Sequence, residues 1–188
     1  MIVLPNLKLV WSSVPRTGTL SMVNLLKLHG GFFIPKSHSH DVPEKFKLFH
    51  RFMVIRNPYT RLYSWWRWWR LHDSRHPVRP KETFLEFLVW LNKNKNFHTG
   101  KYFYSYDSQV AFGTAFGCNT YLYLENLPAD FKKIHALRNA GKHWMNAPEH
   151  KQPEVEINLT SEEIELVNKH SGQDFERFGY VKMYPTTR

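Results

Sequence analysis

The chain has one cysteine, Cys118, so no disulfide can form within it. That thiol stands among apolar residues, where packing rather than reactivity is its expected role. Long hydrophobic runs are also missing. No apolar stretch reaches the ~18 residues that a membrane-spanning helix needs. The opening Met1-Ile2-Val3-Leu4-Pro5 has neither a basic leader nor a long apolar segment, so no signal peptide is expected. A soluble, cytoplasmic protein or a soluble catalytic fragment follows as the expectation. There is no low-complexity tract and no internal repeat. Gly-x-x-x-x-Gly-Lys-Ser/Thr is absent, and no Asp follows a strand as a magnesium ligand would. Both absences argue against nucleoside triphosphate hydrolysis. Negative charge is scarce, with 16 Asp and Glu against 26 Lys and Arg and a formal net charge of +10. An anionic partner fits that balance: a nucleotide, an acidic glycan, nucleic acid or a membrane surface. Many solvated lysines would give the same balance, so charge narrows the choice without making it.

What is present is globular. The 188 residues suit a single domain, 1–188, with a sizeable core. Leu7–Val14 reads as a first strand, followed by a helix to about His29 that Gly30-Gly31 ends. Phe32-Phe33-Ile34 reads as a short second strand. Phe52-Met53-Val54-Ile55 is a continuous apolar run, as a parallel strand buried on both faces would be. Pro58 opens a helix to about His72. Lys81–Lys95 reads as a helix with Phe84, Phe87, Leu88 and Leu91 on one face. Asn119–Leu124 reads as a fourth strand. Pro128–Asn139 is predicted helical, Gly141–Glu156 a loop, and Thr160 with Glu163 a capping box for a last helix. Strands alternating with helices predict an α/β fold: three layers, with a central parallel sheet flanked by helices. Ligands of such sheets sit at the carboxyl ends of the strands.

Four constellations could carry chemistry. Val14-Pro15-Arg16-Thr17-Gly18-Thr19-Leu20-Ser21 joins a strand to a helix and can cradle a phosphate. The helix start offers main-chain N–H groups, Gly18 allows close approach, hydroxyls add donors, and Arg16 adds a fixed charge. An ordinary strand-to-helix turn is the plainer reading. Arg56-Asn57-Pro58-Tyr59-Thr60-Arg61-Leu62-Tyr63-Ser64 follows the buried strand. There Arg56 and Ser64 can hold a second phosphate by a charge-assisted fork and a hydroxyl, or Arg56 is simply a surface residue at a helix start. His38-Ser39-His40 places two imidazoles on one side of an extended segment. They could supply a general base, pair on a metal, or be solvated. No third metal ligand stands out, so no metal is expected. Finally, Leu62, Trp66 and Trp69 share one face of a helix, and Trp65, Trp68 and His72 another. One face must be core. The other, with Arg67, Arg70 and Arg75, could stack sugars or cover neighbouring loops.

Together these residues resemble the sulfotransferases that use 3′-phosphoadenosine 5′-phosphosulfate. The likeness is to the carbohydrate branch, including the uronosyl 2-O-sulfotransferases, in a minimal form. Val14–Thr19 is similar to the family's loop for the 5′-phosphosulfate, and Val54–Ser64 to its 3′-phosphate motif. Leu124-Glu125-Asn126-Leu127-Pro128-Ala129-Asp130-Phe131 and Asp174-Phe175-Glu176-Arg177-Phe178-Gly179-Tyr180 resemble two later family segments. The resemblance implies a P-loop-like fold and a donor held by Arg16, Thr17, Gly18, Thr19, Leu20, Ser21, Arg56 and Ser64. It implies catalysis by His40 as base, with His38 beside it and Arg16 on the leaving group. It implies an acceptor hydroxyl, on a glycan or another small molecule and in keeping with the charge an anionic one, with no metal and no nucleic acid. One departure stands out: Arg16 occupies a position where the family usually has Lys. The alternatives are a non-catalytic nucleotide or polyanion binder on the same fold, and a nucleotide kinase.

Overall fold

A computed structural model describes residues 1–34, 41–72, 83–93, 108–145 and 157–185. The chain forms two compact units, Met1–Arg56 with Ala111–Glu154, and Asn57–Val110 with Val155–Arg188.

The first unit is built on a five-stranded sheet. Its strands are β1 (Ile2–Leu4), β2 (Leu9–Trp11), β3 (Phe32–Phe33), β4 (His50–Ile55) and β5 (Thr120–Tyr123). They lie in the order β3-β1-β2-β4-β5. β2, β4 and β5 are parallel neighbours, while β1 runs antiparallel to both β2 and β3. The sheet is therefore mixed, with four strands pointing one way, and not purely parallel as the alternation predicts. β1 has no counterpart among the expected strands. Three apolar residues show no period of their own, and their pairing partners, Leu9, Val10 and Trp11, come only with hairpin closure.

One sheet face carries Ile2, Leu4, Leu9, Trp11, Phe52, Val54 and Leu122. It buries Met22, Val23, Leu25 and Leu26 of helix α1 (Thr19–Leu28), together with Phe131, Ile134 and Leu137. The opposite face carries Met53 and Tyr121, against which helix α4 (Gln109–Phe116) lays Gly113. Arg51 Nη1 donates to the Phe116 carbonyl at 2.9 Å on that side. α1 ends where the glycines predict: Gly30 has φ +79°, and the Gly31 N–H returns to the Leu26 carbonyl at 2.8 Å. Segment 128–139 is not an α-helix. It makes two 3₁₀ turns, Ala129–Lys133 and His135–Leu137, separated by extended Ile134. Its buried residues Phe131, Ile134 and Leu137 recur every three positions, the repeat of a 3₁₀ turn rather than of an α-helix. The expected loop after it opens with a short helix, α5 (Gly141–Met145). Cys118 donates to the Thr120 carbonyl at 3.2 Å, and burial pushes its thiol up to about 12. That thiol is packed and unreactive at neutral pH.

The second unit packs α2 (Pro58–His72), α3 (Phe84–Lys93), α6 (Ser161–His170) and α7 (Gly172–Phe178) around a largely aromatic core. Phe84, Phe87, Leu88 and Leu91 of α3 all point into it, as their spacing predicts. α3 begins later than expected because Thr83 and Glu86 cap it reciprocally. The Thr160–Glu163 capping box forms as predicted. α2 is the longest helix described, and no helix among the described residues is long and apolar enough to cross a membrane. Asp174 is fully buried, and its carboxylate accepts from the Val110 N–H at 3.1 Å and from Gln109 Nε2 at 3.3 Å. Removing the acceptor leaves two desolvated donors, a loss of about 2 kcal/mol. Asp174→Ala is expected to lower the melting temperature by about 4–8 °C, read by thermal denaturation.

Candidate functional site

The segment Ser12–Gly18 leaves the carboxyl end of β2 and enters α1. It folds on its own polar groups: Ser12, Ser13 and Thr17 are all buried. Thr17 Oγ1 donates to the Val14 carbonyl at 2.7 Å, and the Ser13 and Thr19 hydroxyls bond to each other. The Thr17 hydroxyl is thus engaged inside the turn, and its main-chain N–H is the group it can offer a ligand.

Two residues of this loop have left-handed backbones, Arg16 at φ +71° and Gly18 at φ +77°. For Gly18 that conformation is easy. A Cβ there would also stand 2.8 Å from Leu124 Cδ1 and 3.5 Å from Trp144 Cη2. The backbone shape calls for glycine here, and Leu124 and Trp144 pack close over it. For Arg16 the conformation costs about 1–2 kcal/mol. Strain of this kind on a non-glycine residue is more common at functional sites than elsewhere. Gly18 is the N-cap of α1 and brings no capping side chain. The first-turn N–H groups of Thr19, Leu20 and Ser21 therefore suit an anion, with the helix dipole favouring it. Leu20 is exposed at this turn and Ser21 is buried.

The second arginine comes from the next parallel strand. β4 ends at Ile55, and the following Arg56 Nη1 donates to the Arg16 carbonyl at 3.3 Å. Two of the expected phosphate ligands, Arg16 and Arg56, are thus brought together at the carboxyl ends of β2 and β4. Burial first, and the Arg56 charge second, pull the Arg16 guanidinium below its ordinary value, down to about 10. It remains a cation at neutral pH, in a place that disfavours cations.

Ser64 is buried on α2, in the second unit. His38 and His40 lie outside the described residues. β3, which precedes them, points the same way as β2 and continues its pairing as far as the Ile34 N–H, which donates to the Met1 carbonyl at 3.2 Å. On the tryptophan-rich helix, Leu62 and Trp65 are core, and Trp66 and Trp68 are partly buried against the same core. Arg70 sits over the Trp66 ring, 5.2 Å from its centroid. Residues from both predicted faces thus pack inward, which favours the packing role for this aromatic surplus.

Leu124 and Trp144 are the site residues that sequence reasoning did not assign. Leu124 belongs to the Leu124–Phe131 segment and stands over Gly18. Trp144 reaches Gly18 from α5 and meets Phe131 edge-on, with ring centroids 5.9 Å apart. A five-residue helix carries too little periodicity to announce it.

A model described as the sulfotransferase family matches residues 1–181. No match was found among curated proteins or solved structures.

Because the fold disfavours the Arg16 charge, the penalty is complete below about pH 10 and is relieved as pH rises above it. Arg16→Gly removes both this penalty and the backbone strain. In anion-free buffer at pH 7 it is expected to melt about 2–4 °C above the wild type. The gap should narrow near pH 11, as followed by circular dichroism.

Proposed function

The chain belongs to the sulfotransferase family, and on that premise we propose that it moves a sulfonate group from 3′-phosphoadenosine 5′-phosphosulfate to an acceptor hydroxyl. The whole chain acts as one P-loop-like sulfotransferase domain. The observation that carries this reading is the Arg16–Arg56 pair at the carboxyl edge of β2 and β4, next to an uncapped helix start. Two partly buried cations beside a helix start gain most from a ligand with several anionic groups.

In this reading the 5′-phosphosulfate lies on Arg16–Ser21 and the 3′-phosphate on Arg56 and Ser64. His40 takes the proton of the acceptor hydroxyl, with His38 beside it. The acceptor oxygen attacks sulfur in line, and the bond from sulfur to the bridging oxygen breaks. That electron pair stays on the departing 5′-phosphate, where Arg16 and the α1 amides meet the growing charge. Arginine in place of lysine is compatible with this step. Arg16 stays charged through the step and acts by electrostatics alone. A phosphate monoester whose second pKa is ~6 leaves well without a proton.

A carbohydrate hydroxyl is the acceptor we favour, on an anionic glycan. The likeness to the uronosyl 2-O-sulfotransferases and the net charge of +10 support it. A single packed cysteine fits a reducing compartment such as the cytoplasm. The same Arg16 supports a second reading, a non-catalytic nucleotide or polyanion binder on this fold.

Radiolabelled sulfate transfer to a panel of glycans separates the two. Catalysis predicts a labelled glycan, and His40→Ala should lower the rate at least ~10²-fold with the fold intact. Full transfer by His40→Ala would remove the base from the mechanism, and no transfer to any acceptor by the wild type would favour the binder.

A further inference from the structure

The end of the described chain is held in an unusual way. Tyr180 still packs against the core of the second unit. Beyond it, Val181 is 84% exposed, Met183 47% and Tyr184 79%. Apolar burial therefore does not hold this segment in place. Its main chain is held instead. The Met183 N–H donates to the Tyr59 hydroxyl at 2.7 Å, and Asn168 Nδ2 donates to the Met183 carbonyl at 2.9 Å. The Tyr59 hydroxyl in turn donates to Asn168 Oδ1. The three groups close a ring of hydrogen bonds, each using both its donor and its acceptor. Lys182 adds an ion pair to Glu176 at 3.6 Å.

The ring is anchored on the first turn of α2. Tyr59 is 2% exposed, and its ring packs on Phe175 with centroids 5.1 Å apart. Asn57 Oδ1 accepts from the Tyr59 N–H at 3.0 Å, capping the same turn. Rotation and sliding of α2 are thereby restrained at the end that follows Arg56. Ser64 rides on this helix, little more than one turn further on.

We propose that Tyr59 and Asn168 are positioning residues, which use the Val181–Pro185 segment as a strap to hold α2 in register for the donor's 3′-phosphate. This rests on the reading above, in which Arg56 and Ser64 receive that phosphate. The strap acts on one phosphate subsite only. The 5′-phosphate subsite, on Arg16–Ser21, belongs to a different helix and should not feel it.

The test compares two nucleotides on one variant. Tyr59→Phe keeps the ring on Phe175 but removes the hydroxyl that joins Asn168 to Met183. Titration calorimetry should show adenosine 3′,5′-bisphosphate binding ~10-fold more weakly, with adenosine 5′-monophosphate unchanged. In the wild type, bisphosphate but not monophosphate should slow hydrogen exchange at the Met183 amide. A role confined to stability would weaken both nucleotides alike, and that result, or unchanged bisphosphate binding, overturns the proposal. Asn168→Asp, which keeps the acceptor for Tyr59 and loses the donor to Met183, gives the same comparison should Tyr59→Phe fail to fold. If the wild type itself binds no bisphosphate, the donor reading falls and the strap with it. If the wild type binds and the variants bind equally well, only the strap falls.

Discussion

The first unit is built around a concentration of positive charge that the fold keeps partly out of water. Arg16 and Arg56 come from loops after adjacent parallel strands, and parallel pairing of β2 with β4 places those loops at one edge. The chain accepts a left-handed backbone at Arg16 and a guanidinium pulled down to about 10 to maintain this arrangement. Neither serves stability. In the proposed reading, an anion held by the pair would offset both costs.

The rest of the first unit supports that edge. Buried hydroxyls of Ser13 and Thr17 shape the loop from within. Leu124 and Trp144 close over Gly18, whose left-handed backbone suits glycine. Asp130, itself buried, accepts from the Tyr123 N–H at 2.7 Å and pairs with Lys133, fixing the turn that brings Leu124 into place. In the second unit, the aromatic surplus of α2 packs into a core of its own. Such a core gives the helix a rigid seat, which a residue such as Ser64 would need in order to bind with precision.

How much was legible in the sequence depended on how local the signal was. The helix from Pro58, the α3 face and the Thr160–Glu163 box were readable because capping and helical spacing act within a few residues. β1 was not readable, since its pairing is set by hairpin closure and not by its three residues. Segment 128–139 was misread because a repeat of three resembles one of 3.6 over a short span. Arg16, Gly18 and Arg56 were legible as candidates from their places after apolar strands, and the parallel pairing of β2 with β4 was needed to bring the two arginines together. The strain at Arg16 and the cover given by Trp144 were not legible, because both arise from tertiary contacts.

In the proposed reading, this edge holds a nucleotide with phosphates at two positions and needs no metal to do so. Titration calorimetry in magnesium-free buffer tests it most directly. Adenosine 3′,5′-bisphosphate is expected to bind the wild type, and Arg56→Ala to abolish the heat. Preference for ATP with magnesium over the bisphosphate, or binding that survives Arg56→Ala intact, would rule that reading out.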